Sequence, residues 1–376
     1  MKDEYPDTKS DLFAGFIERC TTLAGPQGMV AMITMQSWMF LSSYEKLRAA
    51  LLTKQRITSM LHLGARAFDS IGGEVVSSTA FVQANVPPEA RNSARKRAGT
   101  FVRLVDGASE AEKMTALGVA LLVRTKSAGF YLASDVDFAA IPGSPIVYWL
   151  SEKMRAAFAW HPSLGASYDA MNGMTTGENA AFLRLWHEVS GARTCRLARS
   201  AQDSVASGAR WFPYNKGGEF RKWYGNQEHV INWECDGRDV IDNGRAFPRG
   251  RKFYFRPMVS WAKVSSGQPA FRFYPGGFLF DVAGTAMFGR SLQALADAIA
   301  LCNSSTAEAM LAALSPTMNF ESGQIARLPL AGAEGASTGL CVRVDELISS
   351  SKRDWDESET SWDFAANPLV ALVTGR

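Results

Sequence analysis

The first 85 residues alternate helical and strand-like apolar patterns, and this alternation constrains the fold more than any other feature of the sequence. The pattern predicts, in chain order, a helix over 8–24, a strand over 29–35, a helix over 42–53, and strands over 57–63 and 75–85 with a Gly-Gly turn at 72–73. Ser10 is the predicted N-cap of the first helix, and Ser42 or Ser43 that of the second. The continuous apolar run MVAMITM is typical of a strand buried on both faces. This order predicts one edge of an α/β sheet that ends in a hairpin.

Beyond about residue 100, short aromatic strand patterns alternate with Gly, Pro and Asn turns, as in a mostly β or mixed domain. Further predicted elements are a strand at 99–106 and helices over 109–117, 146–160 and 291–313, the last broken near Asn303. The acidic and aromatic segment DWDESETSWDF at 354–364 is expected to dock on a neighbouring surface.

Composition excludes several classes of protein. Hydrophobic residues make up 47% and charged residues 20% of the 376 residues, as in a globular chain with a sizeable core. No apolar run reaches the roughly 18 residues that a membrane helix needs, and the polar N-terminus MKDEYPDTKSD has no secretory signal. Five cysteines without a C-x-x-C pair and four widely spaced histidines predict a reduced, cytoplasmic protein without a metal site.

Positive charge is concentrated in one part of the chain. Residues 193–272 contain 15 Lys and Arg against 7 Asp and Glu, a net +8 in a chain whose total is +3. A basic segment within an otherwise acidic protein predicts a polyanionic partner. Within it, the segment YNKGGEFRKWYGN at 214–226 allows three interpretations: it binds phosphates, it contacts bases, or it is a hairpin with an aromatic face and a solvated rim. If it binds phosphates, Phe220 and Trp223 are expected to be core residues that hold the segment in place.

The usual catalytic and cofactor motifs are absent from the sequence. It has no Walker loop, no G-x-G-x-x-G after a strand and no G-x-S-x-G elbow. In NVPPE at 85–89 the inserted valine breaks an Asn-Pro-Pro-aromatic motif. No catalytic residue is therefore predicted in this chain.

Several segments resemble, in the same order, a family of DNA adenine-N6 methyltransferases. The matching segments lie at 9–52, 57–85, 173–186, 301–330 and 354–364. Together they resemble the adenine-specific methyltransferases of bacteriophage-exclusion (BREX) systems, the PglX group. The resemblance implies an α/β fold: the C-terminal edge of a Rossmann-like class I methyltransferase sheet, followed by a mixed α+β target-recognition domain. The implied parts are a catalytic-domain part at 1–107, a helical connector at 108–164, a target-recognition domain at 165–335 and a tail segment at 336–376.

The resemblance also implies roles for individual residues. Leu12 and Phe16 match the helix that contributes apolar side chains to the S-adenosylmethionine pocket; the alternative is that they are plain core residues. Phe68 matches the aromatic residue that packs against the adenine flipped out of the duplex; the alternative is a buried loop anchor. The family's Gly-rich cofactor motif, acidic ribose-binding residue and Asn-Pro-Pro-Tyr loop precede the matched segments. We therefore expect an internal piece that binds no S-adenosylmethionine alone and is inactive by itself.

The function implied by the resemblance is double-stranded DNA binding by the target-recognition portion of such a methyltransferase. The predicted phosphate contacts are Lys216, Arg221, Lys222, Arg249, Arg251 and Lys252. Asn226 or a nearby arginine is the predicted base-edge contact. The alternative is an assembly module that complements a separately encoded cofactor-binding half or docks on other BREX subunits, because the strands at 29–85 lack sheet neighbours. An independent enzyme on a new fold is a third possibility.

Overall fold

The computed structural model describes residues 4–70, 76–315, 318–330 and 338–370. The chain divides into two compact units, Met1–Trp160 and His161–Arg376. This boundary falls inside the predicted connector at 108–164, and the four-part division remains a prediction. Among the described helices, none has the length and hydropathy that a membrane crossing requires.

The first unit is built on a sheet whose described strands have the order β1-β3-β2-β4-β5. Its strands are β1 Met29–Met35, β2 Gln55–Gly64, β3 Ser78–Asn85, β4 Gly99–Arg103 and β5 Phe130–Ala133. Its helices are α1 Leu12–Leu23, α2 Glu45–Lys54, α3 Arg91–Ala94, α4 Glu110–Val123, α5 Asp135–Ala139 and α6 Glu152–Trp160. Since β3 is antiparallel to both β1 and β2, and β4 is parallel to β2, the carboxyl ends of β1, β2 and β4 share one edge of the sheet.

The predicted element order is confirmed, and β2 and β3 form the predicted antiparallel pair. The predicted turn at 72–73 lies outside the described residues. The predicted caps are wrong: α1 begins after Asp11, and a short 3-10 helix over Ser42–Tyr44 makes Tyr44 the N-cap of α2. Among the described residues, neither the Asp11 nor the Tyr44 side chain makes a capping hydrogen bond to the helix that follows it.

The expectation that the strand at 29–35 is buried on both faces is also wrong. This strand, β1, lies at the edge of the sheet, and its residues alternate between buried and exposed positions. Val30 is buried, whereas Met29 and Ile33 are largely exposed. A continuous apolar run does not reveal how many faces of a strand are covered, because that depends on neighbours elsewhere in the chain.

The second unit contains two four-stranded sheets, with orders β11-β10-β13-β6 and β12-β8-β9-β7 among the described strands. The strands are β6 Asp169–Met171, β7 Leu183–Leu185, β8 Trp211–Asn215, β9 His229–Asn232, β10 Met258–Ala262, β11 Arg272–Tyr274, β12 Leu279–Phe280 and β13 Gly284–Phe288. The helices are α7 Leu164–Ser167, α8 Asn179–Phe182, α9 Ala201–Ala206, α10 Glu234–Asp242, α11 Leu292–Cys302, α12 Ser305–Leu314, α13 Ser322–Ile325 and α14 Thr338–Asp356. A core of aromatic and aliphatic side chains, among them Tyr214, Trp233 and Phe280, joins these elements. Mixed α/β architecture is therefore confirmed.

The helical region at 291–313 is broken where the sequence predicts. Asn303 is the C-cap of α11, and its side chain bonds both the backbone N–H and the carbonyl of Phe271. Ser304 then caps α12 by accepting from the Ala307 N–H at 3.1 Å. A capping serine directly after the last turn starts a new helix axis, which explains the break.

Candidate nucleic-acid interface

Residues 214–226 comprise the last two residues of β8 and most of the loop that leads from β8 to β9. Asn215 at the end of β8 is fully buried, and its amide donates to the Ser260 hydroxyl at 2.6 Å and to the Gly284 carbonyl at 3.0 Å. Its side-chain oxygen accepts from the Gly217 N–H at 3.0 Å. Gly217 has a φ of +86°, a backbone conformation that residues with a Cβ rarely adopt. The start of the loop is therefore fixed by a buried amide and a glycine turn.

A buried guanidinium, that of Arg272, also holds this loop through hydrogen bonds to its backbone. Arg272 on β11 is fully buried, and its Nη1 donates to the carbonyls of Glu219 at 3.0 Å and Arg221 at 3.3 Å. Its Nη2 donates to the Gly217 carbonyl at 3.4 Å. Three backbone carbonyls of the loop thus accept hydrogen bonds from a guanidinium in the interior.

The aromatic residues of the loop divide differently from the prediction. Phe220, expected in the core, is 61% exposed, and Trp223 is half-buried with a φ of +73°. The buried rings are instead those of Tyr214 and Tyr224. The prediction for Phe220 is wrong because the carbonyls on either side of it bond inward to Arg272, which leaves the intervening side chain outside.

Lys216 is the counterion of a buried carboxylate. Its Nζ lies 2.7 Å from Oδ2 of Asp281, a residue that is only 2% exposed. The same oxygen accepts from the Tyr214 hydroxyl at 2.7 Å, and Oδ1 accepts from the Ala283 N–H at 2.8 Å. Burial, and then the Asp281 charge, raise the pKa of Tyr214 well above its usual range. Lys216 therefore neutralises a charge inside the unit, which competes with contact to phosphate.

The next two cations of the loop also have partners within the second unit. Arg221 donates to Oδ2 of Asp354 at 2.7 Å, and its guanidinium lies 5.1 Å from the centre of the Trp355 ring. Lys222 Nζ lies 3.3 Å from the carbonyl of Asn303, at the C-terminal end of α11. Cations are favourable at that end of a helix. Both side chains therefore have structural contacts in addition to any role on DNA.

Asn226, the predicted base-edge contact, donates from its side-chain amide to the Glu219 carbonyl at 2.9 Å. It has a φ of +58° and is half-buried. A polar groove of about 490 Å³ opens beside it, lined by loop residues and by residues of the C-terminal segment, including Phe220, His229, Ser358 and Thr360. The exposed Phe220 ring is thus available to a ligand in this groove.

The expected docking of residues 354–364 is confirmed within the second unit. Trp355 is buried, and Trp362 packs against the aromatic core. The Trp186 indole donates to the Thr360 carbonyl at 2.9 Å. Arg196 lies 3.3 Å from Asp363 and covers the Trp362 ring, so acidic and aromatic residues of this segment both meet the basic part of the chain.

Residues 245–256, which we call the exposed basic loop, present their charges differently. This stretch contains five arginines and lysines and no acidic residue. Arg249 and Lys252 are exposed, and each lies beside a ring: Arg249 over Phe247 at 5.9 Å, and Lys252 over Phe253 at 4.8 Å. Contact with an aromatic face leaves the charge unneutralised. These two cations therefore remain able to meet an external anion.

The backbone of the exposed basic loop is well anchored. Phe247 and Thr175 exchange backbone hydrogen bonds of 2.8 and 3.1 Å, while the Phe247 ring is 60% exposed. The Tyr254 hydroxyl donates to the Arg249 carbonyl at 3.0 Å. Burial raises the pKa of Tyr254, which keeps this hydroxyl protonated as a donor. The loop thus holds exposed cations on a fixed backbone.

The sequence predicts three of the five cations of the exposed basic loop as phosphate contacts and misses two. Arg251 differs from its neighbours because it pairs with Asp236 and lies over the Trp233 ring at 6.0 Å. The missed cations are Arg245, which is exposed, and Arg256, which donates to the Gly289 carbonyl at 3.3 Å. The run from 243 to 256 without an acidic residue was the signal that could have identified them.

In the first unit, the predicted cofactor-pocket residues are not core residues. Leu12 and Phe16 on α1 are 61% and 52% exposed, and with Tyr5 and Arg19 they line a cavity of about 230 Å³. Phe68, the predicted base-stacking residue, is half-buried in the loop that follows β2. The structure brings Leu12 and Phe16 together on one helix face, and the roles of all three remain predictions.

Asn85, the asparagine of the broken NVPPE motif, has structural contacts. Its amide donates to the carbonyls of Thr21 at 2.9 Å and of Gly25, at the end of α1 and in the turn after it. Its side-chain oxygen accepts from the Gln55 amide at 2.8 Å. Asn85 thus joins three segments of the unit. Across the described parts of the chain, no group of three His, Cys, Asp or Glu side chains is placed to hold a metal ion.

Comparison with known proteins connects this chain to methyltransferases. Residues 1–68 match the family described as Eco57I restriction-modification methylase. The adenine-specific methyltransferase PglX of Lacticaseibacillus casei (strain Zhang) is 41% identical over 98% of this chain and 30% of its own length. The adenine-specific methyltransferase BrxX of Escherichia coli O9:H4 (strain HS) is 38% identical over 98% of this chain and 29% of its length.

A distant likeness links the chain to a solved structure. The type IIL restriction-modification enzyme MmeI, in complex with DNA, shares 9% identity over 93% of this chain and 53% of that chain, with a TM-score of 0.44. The chain spans about 30% of the length of the curated relatives it matches. Over nearly all of its own residues, the chain is a homologue of the PglX and BrxX adenine-specific methyltransferases, as the resemblance predicted.

Proposed function

We propose that this chain is the DNA-binding, target-recognition portion of an S-adenosylmethionine-dependent, site-specific DNA adenine-N6 methyltransferase of a BREX-type phage-defence system. Its homology to PglX and BrxX supports the reaction class. The observation that carries the DNA-binding role is the exposed basic loop, with Arg249 and Lys252 exposed on an anchored backbone. A protein that acts on chromosomal or phage DNA would work in the cytoplasm.

In this proposal the exposed basic loop provides most of the phosphate contacts. Arg249, Lys252 and Arg245 are exposed and come from a stretch without acidic residues. Lys216, Arg221 and Lys222 hold the 214–226 loop in place, since each has a partner inside the unit. Asn226 and the exposed Phe220 are the candidates for contact with bases beside the polar groove.

Binding of a duplex oligonucleotide in mobility-shift assays at rising salt tests the proposal. Each phosphate contact contributes roughly 0.9 to the slope of log affinity against log salt, so we expect steep salt dependence. The Arg343→Gln variant, which changes an exposed arginine on α14, is a matched control that should bind as the unchanged chain does. Failure to shift duplex DNA even at low salt would refute DNA binding by this chain.

The proposed cofactor of the full-length relatives is S-adenosylmethionine, whose adenine ring would require an apolar surface. Leu12 and Phe16 fit that requirement, because both project apolar area from α1 into solvent. Asn85 would not serve the target amino group, since its amide donates to Thr21 and Gly25. We therefore propose that the chain alone transfers no methyl group. Incubation with duplex DNA and radiolabelled S-adenosylmethionine tests this, and incorporation of label above background would contradict it.

A second candidate function, an assembly module, is favoured by the exposed apolar side chains of the first unit. Leu12, Phe16 and Leu23 on α1, and Met29 and Ile33 on the edge strand β1, are all exposed. Among the described strands β1 pairs on one side only, and the open side of an apolar edge strand is a template for another chain. Mixing the chain with a separately produced cofactor-binding half of a relative tests this function. Restored adenine methylation would support it, and absence of both complex and activity would count against it.

A further inference from the structure

Three side chains of the first unit form a hydrogen-bonded chain that ends at the carboxyl edge of its sheet. His62 near the end of β2 lies 3.0 Å from the Tyr148 hydroxyl through Nδ1 and 2.7 Å from Oε1 of Gln36 through Nε2. Gln36 directly follows β1. His62 and Tyr148 are buried, whereas Gln36 is only half-buried. The chain of hydrogen bonds therefore runs from the interior toward the surface.

The chemistry of these groups fixes the direction of donation. Oε1 of Gln36 can only accept, so Nε2 of His62 carries a proton and Nδ1 accepts from the Tyr148 hydroxyl. Burial, followed by the charges of Arg103 and Lys113, lowers the pKa of His62 to about 3. Burial also raises the pKa of Tyr148, so the phenol keeps its proton. At neutral pH, Tyr148 therefore donates to His62, and His62 donates to Gln36.

We call the hydrogen-bonded series Tyr148–His62–Gln36 the relay. Aromatic packing holds its two buried members, His62 and Tyr148, in one position. The His62 ring centre lies 5.9 Å from that of Phe40 and 5.7 Å from that of Trp149. Tyr148 stacks on Phe101 at 4.8 Å with an interplanar angle of 20°. The rings of His62 and Tyr148 cannot reorient without displacing the side chains packed against them. The hydrogen bond from His62 therefore fixes the orientation of the Gln36 amide.

The relay leaves the side-chain NH2 group of Gln36 available to donate hydrogen bonds. With Oε1 occupied by His62, the two N–H bonds of its Nε2 remain, and no described residue accepts from them. Ligands of open α/β sheets bind outside the carboxyl ends of the strands, and Gln36 and His62 both lie at that edge. The loop that contains Phe68 leaves β2 at the same edge.

We propose that Gln36 is a base-contacting residue whose amide donates a hydrogen bond to a ring nitrogen of a purine, with His62 and Tyr148 as positioning residues. A neutral amide donor, supported by a neutral imidazole that itself packs against aromatic rings, suits an uncharged heteroaromatic acceptor better than a phosphate. The choice of a purine rests on the proposed function, in which an extruded adenine is the substrate. The direction of donation rests on the relay alone.

Ligand-detected NMR titration of the chain with adenosine tests the contact. Loss of one hydrogen bond should weaken adenosine binding by about threefold to tenfold in Gln36→Ala. The matched control is Gln27→Ala, because Gln27 is exposed and precedes β1 at the opposite end of the strand. It should bind adenosine as the unchanged chain does. No binding by the unchanged chain at millimolar adenosine, or equal binding by Gln36→Ala, would overturn the proposal.

The positioning residues need a readout that a merely structural role would not change. Nitrogen-15 NMR of the His62 ring should show a proton on Nε2 in the unchanged chain. In Tyr148→Phe, which removes the donor to Nδ1, the Nδ1 nitrogen-15 shift should move to that of a nitrogen without a hydrogen bond and adenosine binding should weaken, while the melting transition remains cooperative. A proton on Nδ1 in the unchanged chain, or unaltered adenosine binding by Tyr148→Phe, would show that the relay does not orient Gln36.

Two comparisons separate this proposal from the proposed function. Duplex binding through the exposed basic loop should be unchanged in Gln36→Ala, because Gln36 and that loop belong to different units. Salt-dependent duplex binding with adenosine binding independent of Gln36 would overturn this inference and leave the proposed function intact. Adenosine binding that requires Gln36, without any duplex binding, would do the reverse.

Discussion

The two basic segments of the second unit have similar compositions and different surroundings. In residues 214–226, Lys216, Arg221 and Lys222 contact a buried carboxylate, an acidic side chain of α14 and a helix-end carbonyl. In the exposed basic loop, Arg249 and Lys252 lie over aromatic rings that leave their charge unneutralised. A count of basic residues therefore locates a polyanion-binding region only approximately. What packs beside each cation decides whether its charge is available.

Among changes to the two basic segments and their ionic partners, the largest effect is expected from removing the buried anion that pairs with Lys216. Asp281→Ala would leave the Lys216 ammonium and the Tyr214 hydroxyl without their acceptor. We expect the free energy of unfolding of the second unit to fall by about 3 kcal/mol, near the lower end for loss of one partner of a buried pair, because Lys216 is partly exposed. Urea denaturation measures this. Asp242→Ala, at an exposed position of α10, is the control, and equal unfolding midpoints for the two variants would contradict a structural role for Lys216.

The next test compares the two segments on DNA directly. In Arg249→Gln/Lys252→Gln, loss of two phosphate contacts should lower the salt slope of duplex binding by about 1.8. In Arg221→Gln/Lys222→Gln the slope should stay near that of the unchanged chain, because those cations have partners inside the unit. Mobility shifts over a range of salt concentrations measure both slopes. The reverse ranking of the two variants would place the DNA at 214–226 instead.

A smaller effect is expected from the docked C-terminal segment. Asp354→Asn/Asp363→Asn removes the carboxylates that face Arg221 and Arg196. These ion pairs are partly exposed, so their loss should lower the free energy of unfolding by less than about 1 kcal/mol. Each arginine released to reach a phosphate should add about 0.9 to the salt slope. Mobility shifts and urea denaturation together test this, and a slope below that of the unchanged chain would show that the two arginines do not gain access to DNA.

The smallest effect is expected at Phe220. Because its ring is exposed, Phe220→Ala should change the free energy of unfolding by no more than about 0.5 kcal/mol. The buried Phe271→Ala should lower it by about 3–5 kcal/mol. Urea denaturation of the two variants distinguishes a surface ring from a core ring. A large loss in Phe220→Ala would restore the expectation that Phe220 belongs to the core.

The sequence predicts the helices and strands of this chain better than it predicts what packs around them. Periodicity identified β2 and the break at Asn303, since both depend on local chemistry. The acidic and aromatic composition of residues 354–364 indicated that this segment docks on another part of the chain. It misassigned the burial of β1 and of Phe220, because the covering layer of each is set by residues far away in the chain. The Gln36–His62–Tyr148 relay had no local signal, since its members are up to 112 positions apart.

The sequence by itself determined the kinship with adenine-specific methyltransferases, the order of helices and strands, and the concentration of positive charge in residues 193–272. These properties follow from residue identity and spacing along the chain. Only the tertiary structure decided which cations are neutralised, which aromatic rings are buried and which amide is left able to donate. The physical reason is that hydrogen bonds and ion pairs act over a few ångströms in space, whatever the separation in sequence.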